Sequence, residues 1–331
     1  MRKLTFIDYP KFVPCAEYDK AISGMVEKLK NIPGVVSLYQ LGSISNSGIS
    51  DIDMLVIFND NSSCHIDPRK ELTRTERYLF IHNLFGMSLS HFTESQKYSF
   101  FHGYNLLHGK DLIKSISDIS ESDKKILKQQ IALEYLIKMY QTLSIQITYG
   151  IIKLRSILLE VKALLFDLEF LEVKKGQLFE LTNKCIDIRS HWFKNRISKK
   201  ELQYWILSFH KELDNFLKEK LIIEKKKFYY GIADKYFSSK NVVFLNENNV
   251  GFKHTGLILP KCPAKILEKR YYNLNSRFNR FIFHIPVTDH EKIVVLKEKS
   301  TFEKKSSQYN HKHFPFFSTL KTSLNMLNDF F

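Results

Sequence analysis

Two aspartates one residue apart, Asp51 and Asp53, stand where a polar loop gives way to the apolar run Met54-Leu55-Val56-Ile57-Phe58. Residues two apart on a strand project from the same face. The two carboxylates therefore share one face, and Ile52, Met54, Val56 and Phe58 occupy the other. Paired carboxylate oxygens at the open end of a buried strand suit Mg²⁺, a hard cation that keeps several waters and completes its shell with substrate phosphates. A second apolar run, Val35–Leu41, ends in Gly42-Ser43. Glycine lets a phosphate approach the backbone closely, and Ser43 offers an N–H and a hydroxyl at the expected N-terminus of a helix.

The elements that position these residues follow from pattern. Residues 1–18 read as irregular, because Pro10 and Pro14 break a helix. Tyr18 to Lys30 reads as an amphipathic helix with Ile22, Met25, Val26 and Leu29 on one side, ended by Asn31-Ile32-Pro33-Gly34. Strands are expected over Val35–Leu41 and from Asp51 to Phe58. A short helix is expected over Arg69–Arg77, with Tyr78–His82 either a short strand or the continuation of that helix. Alternation from Leu84 to Phe92 marks a further strand, with Ser88 and Ser90 on one face and Glu94 on the same parity beyond it. Tyr104–Leu112 carries an apolar strand that leads to Gly109 and a polar pair.

The Gly-Ser turn, the spacer Ile44–Ser50, Asp51-x-Asp53 and the apolar residues after them resemble the nucleotidyltransferase superfamily of the DNA polymerase beta and kanamycin nucleotidyltransferase type. The resemblance covers about the first third of the chain. It implies an Mg²⁺-dependent transfer of a nucleoside monophosphate from a nucleoside triphosphate to an acceptor. Asp51 and Asp53 would hold the metal, and Gly42 and Ser43 the β- and γ-phosphates. The family usually carries a third carboxylate on the third core strand, and this sequence has none there. Glu94 is the candidate to replace it as metal ligand or base. The missing carboxylate also motivates an alternative, a catalytically impaired member of the fold that acts as a nucleotide-binding or regulatory module. The acceptor class stays open among small molecule, sugar, protein and nucleic acid.

The remainder frames this core. With 331 residues, 44% hydrophobic and 26% charged, the chain has the composition of an ordinary globular protein of two or three domains. No N-terminal segment reads as a signal peptide, and no uncharged apolar stretch reaches the length of a membrane span. The four cysteines lie far apart without metal-ligand spacing, which suits reduced thiols, mostly packing residues, of a cytoplasmic protein. The net charge of +15 is uneven: +1 over residues 1–115, +7 over 116–240 and +7 over 241–331. Helical spacing dominates from Glu121 to Lys227, with Trp192, Trp205, Phe209 and Phe216 expected in a bundle core. Short strands are expected at Asn241–Leu245, Val250–Lys253, Leu257–Leu259, Phe281–Pro286 and Lys292–Lys297. Basic residues Lys265, Lys269, Arg270, Arg277 and Arg280 mix there with Tyr271, Tyr272 and Phe278. The expected class is α+β: a nucleotidyltransferase core (residues 1–116), a helical domain (117–235) and a basic α+β or β-rich domain (236–331). No Walker A, dinucleotide-binding, Gly-x-Ser-x-Gly or His-Glu-x-x-His pattern occurs.

Overall fold

A computed structural model describes residues 3–114, 119–195, 197–230, 235–267, 269–289, 292–306 and 313–316. Along the chain the first elements are β1 (Thr5–Ile7), α1 (Cys15–Leu29), β2 (Val35–Leu41), β3 (Asp53–Phe58), α2 (Arg74–Leu79), β4 (Phe85–Ser88), α3 (Leu89–Ser95) and β5 (Tyr104–Gly109). Next come α4 (Glu121–Tyr149), β6 (Ile151–Lys153), α5 (Leu154–Phe170), α6 (Gln177–His191) and α7 (Lys199–Lys218), which ends in a π-helical turn, Glu219–Ile223. The last are β7 (Tyr229–Tyr230), β8 (Lys235–Ser239), β9 (Val242–Asn246), β10 (Gly251–Gly256), α8 (Ala264–Leu267), α9 (Lys269–Phe278), β11 (Asn279–Ile285), β12 (Thr288–Asp289) and α10 (Val294–Ser306). The class is α+β. No helix among the described residues is long and apolar enough to cross a membrane.

The chain divides into two compact units. The aspartate unit comprises the described residues of Lys11–Lys124 and Val294–Lys321. Its sheet has the order β4-β3-β2-β5, with β2 antiparallel to both β3 and β5, and β4 parallel to β3. Met54–Phe58 is fully buried, because β3 lies inside the sheet and both its faces are covered. On one side Ile52, Met54, Val56 and Phe58 pack with Tyr18, Ala21, Met25 and Leu29, the apolar stripe of α1. On the other, Phe92 of α3 stacks on Tyr39, the cross-strand partner of Leu55, with ring centroids 5.8 Å apart. The C-terminal segment returns to this unit. Gly86 N–H donates to Pro315 O at 3.0 Å, and the ring of Phe314 meets Phe58 edge-on.

The helical unit comprises the described residues of Met1–Pro10 and Lys125–Ile293. Helices α5, α6 and α7 pack in succession, and Trp192, Trp205, Phe209 and Phe216 are buried as their helical spacing predicts. The Trp205 indole donates to Leu181 O at 2.9 Å, which satisfies its one polar atom. A second sheet, β10-β11-β9-β8, turns Phe252 and Phe283 toward Tyr140 of α4.

Several expectations are corrected. β1 forms within the segment read as irregular, and it pairs in parallel with β6. That partner is far away in sequence, so no local pattern announces the pairing. The helix expected from Arg69 starts at Arg74, where Thr73 and Glu76 form a capping box; it continues through Tyr78 and Leu79 and no strand forms before His82. The strand expected over Leu84–Phe92 stops at Ser88, whose hydroxyl accepts from His91 N–H and begins α3. The strand expected over Lys292–Lys297 is replaced from Val294 onward by α10, since Val295, Lys299 and Phe302 bury one helical stripe. Leu257–Leu259 is irregular. Residues Lys125–Ile293, which span most of the segments read as helical and C-terminal domains, fall in one unit. The boundary expected at Ile116 lies outside the described residues. Cys64 and Cys185 are buried packing residues, whereas Cys15 and Cys262 are exposed.

Candidate functional site

The site is built where β2 ends and β3 begins. Leu41 pairs with Asp53, so the Gly42-Ser43 turn lies directly across from the aspartates. Gly42 has φ +70°, a left-handed conformation that favours glycine, and a Cβ there would meet nothing within 4 Å. The space in front of the turn is open. Its N–H is nevertheless committed, donating to Gly103 O at 2.7 Å, and its carbonyl accepts from Asn105 Nδ2 at 3.3 Å. Gly42 therefore offers clearance rather than a donor. Ser43 is exposed, and among the described residues its N–H and hydroxyl meet no protein partner. It does not begin a helix: Asn46–Ser50 forms a single turn closed by Ser50 N–H to Asn46 O at 2.8 Å, so no helix dipole aids the site.

Two tyrosines hold the spacer loop. Tyr18 OH accepts from Gly48 N–H and donates to Ser50 O, both at 2.8 Å, and Tyr78 OH donates to Gly48 O at 2.5 Å. Ile52 N–H donates to Leu79 O at 3.0 Å, which pins the backbone between the two aspartates to the end of α2. Tyr18→Phe leaves the buried Gly48 N–H and Ser50 C=O short of a partner. The expected cost is about 1–3 kcal/mol. Urea titration of the variant measures it, and a midpoint equal to the parent's would remove Tyr18 as the anchor.

Asp51 and Asp53 are both partly buried. Burial, and then the charge on Asp51, push the Asp53 carboxyl up to about 8. His82 Nε2 stands 3.9 Å from Asp51 Oδ2. β4 pairs in parallel with β3 from Leu55–Phe85 onward, and the chain leading into it passes the aspartates at His82. Arg69 fixes that approach, donating to Asn83 Oδ1 at 2.9 Å and to Phe80 O at 3.0 Å. Ser88 instead pairs with Phe58 at the far end of β3.

The structure thus gathers Gly42, Ser43, Asp51 and Asp53, and it does not bring Glu94 to them. Glu94 is exposed on α3, and the strand parity that recommended it does not exist. Among the described residues no three His, Cys, Asp or Glu side chains group to hold a metal. Two carboxylates are a sufficient protein contribution for a cation that keeps waters and takes phosphate oxygens. The donor set therefore fits Mg²⁺. Sequence reasoning missed His82, and the parallel pairing that places it carries no local signal. Comparison with protein-family models, curated proteins and solved structures yields no match.

Proposed function

We propose that the aspartate unit is an Mg²⁺-dependent nucleotidyltransferase acting on a nucleoside triphosphate. The observation that carries this reading is the placement of the Asp51–Asp53 pair across from an open, glycine-cleared turn with a free serine hydroxyl. Helix, strand, Gly-Ser turn, strand, and a third strand parallel to the second agree with the resemblance of the motif. Asp51 and Asp53 would hold Mg²⁺, which when bound neutralises phosphate charge and favours attack at the α-phosphorus. Ser43 would donate its N–H and hydroxyl to phosphate oxygens, and Gly42 leaves them room. His82, beside Asp51, would take a proton from an acceptor hydroxyl.

A second reading is favoured by one observation, the position of Glu94 away from the pair: a module that binds the triphosphate without turnover. Incubation with Mg²⁺, each α-labelled nucleoside triphosphate and a panel of sugar, small-molecule, protein and nucleic-acid acceptors separates the two. Label transfer with pyrophosphate release is the expected result. Bound triphosphate without product selects the second reading, and neither binding nor product contradicts both.

A further inference from the structure

We propose that the helical unit carries a binding face for single-stranded nucleic acid, formed where α9 runs into β11 beside the end of β10. It lies apart from the nucleotidyltransferase reading and uses none of its residues.

Three facts of geometry assemble the face. First, Gly256 (φ +129°) ends β10 so close to α9 that a Cβ would stand 2.1 Å from Phe278 O, and Leu257 N–H donates to that same oxygen at 3.2 Å. Leu257 and Phe278 are therefore neighbours, 68% and 54% exposed. Second, Phe252 and His254 turn inward onto Phe283 and Phe281, which leaves Lys253 and Thr255 facing outward. Thr255 pairs with Arg280, so that guanidinium shares their side of the sheet. Third, Arg270, Leu274, Arg277 and Phe278 recur at helical spacing and are exposed, while Tyr271, Tyr272 and Asn275 are buried on the opposite side of α9. The two tyrosines suggested by sequence as part of a binding mixture thus belong to the core, and Phe278 is the aromatic left outside.

Among the described residues no carboxylate pairs with the charge of this face. Residues 251–285 contain seven Lys or Arg and one carboxylate. Among the described residues Lys253, Arg270, Arg277 and Arg280 make no ion pair; the side chains of Lys265 and Lys269 lie outside the described set. Exposed arginines that flank one exposed phenylalanine along the chain match a string of phosphates with unpaired bases: arginine binds the backbone and the ring stacks a base. A duplex hides its base faces and gives Phe278 nothing to stack on. The apolar part, Leu257, Leu274 and Phe278, is small for insertion into a bilayer.

Fluorescence anisotropy of the full chain with a labelled mixed-sequence single strand, over a range of salt, tests the proposal. Affinity should fall with salt at about 0.7 log units per log unit for each phosphate contact. Arg277→Ala with Arg280→Ala should weaken binding about tenfold or more and flatten the salt slope by about one to two contacts. Phe278→Ala should weaken it about fivefold or more with the slope unchanged. All three side chains are exposed, so an unchanged melting curve confirms that the variants fold. Triphosphate binding on the same samples should not move, which separates this face from the aspartate site. Absence of binding at low salt overturns the proposal, as does an Arg pair variant that binds like the parent. Equal affinity for duplex, or equally effective competition by phosphatidylserine vesicles, overturns it too.

Discussion

Asp53→Asn is expected to lower Mg²⁺-dependent pyrophosphate release by about 10²–10³-fold or more and, at the same time, to stabilise the metal-free protein above neutral pH. The first effect follows from losing a charged ligand at the reacting phosphate, where preorganised electrostatics contribute most of the barrier reduction. The second follows from the sign of the proton linkage. Burial and the charge on Asp51 hold the folded-state carboxyl at about 8, whereas an unfolded aspartate titrates near ~3.9. Between these values the folded protein binds more protons than the unfolded chain, so stability falls as pH rises from about 4 to about 8. The asparagine variant lacks this loss and should exceed the parent in stability at alkaline pH. Urea titrations at acidic and alkaline pH without divalent ions read the difference. A parent more stable than the variant at alkaline pH would refute the buried-pair assignment. Adding Mg²⁺ should reduce the gap, because a bound cation favours the ionised carboxylate.

Gly109→Ala is expected to destabilise the aspartate unit by about 3–5 kcal/mol, enough to unfold a marginal domain. Gly42→Ala should leave it folded. Both glycines have positive φ, +86° and +70°, and an L-residue there costs roughly 1–2 kcal/mol. The difference is what surrounds them. A Cβ on Gly109 would stand 2.0 Å from Val36 O and 2.9 Å from Ser37 Cα, so β5 must move away from β2. On Gly42 it would meet nothing within 4 Å. The methyl group of Gly42→Ala instead projects into the open space of the turn, where it should weaken triphosphate binding while thermal unfolding shifts little. Circular dichroism melting of the two variants checks the contrast. If both melted alike, the open space at Gly42 would have no special meaning.

Local chemistry made much of this legible. The face alternation of Ile52, Met54, Val56 and Phe58 against Asp51 and Asp53 could be read from residue types, and the packing with α1 follows it. The helical stretches from α4 to α7 were legible, apart from β6 at Ile151–Lys153 where helix was expected, because their apolar spacing is strong and Ser198 and Glu201 cap α7 with both reciprocal bonds. Pairing between distant segments was not. β1 finds β6, the Phe314–Phe316 segment finds β4 and β3, and the parallel register of β4 brings His82 rather than Glu94 to the aspartates. Each depends on a contact whose two halves look ordinary alone. Glu94 failed for a local reason as well: Leu84–Phe92 alternates like a strand, yet Ser88 can cap, and the cap ended the strand.

The central claim is that Asp51 and Asp53 form a site for a divalent cation and a nucleoside triphosphate. Titration calorimetry with a non-hydrolysable triphosphate, with and without Mg²⁺, tests it on the parent and on Asp51→Asn and Asp53→Asn. The expected result is saturable binding by the parent that requires Mg²⁺ and is lost in both variants. Binding that ignores Mg²⁺, or that survives in both variants, would contradict it.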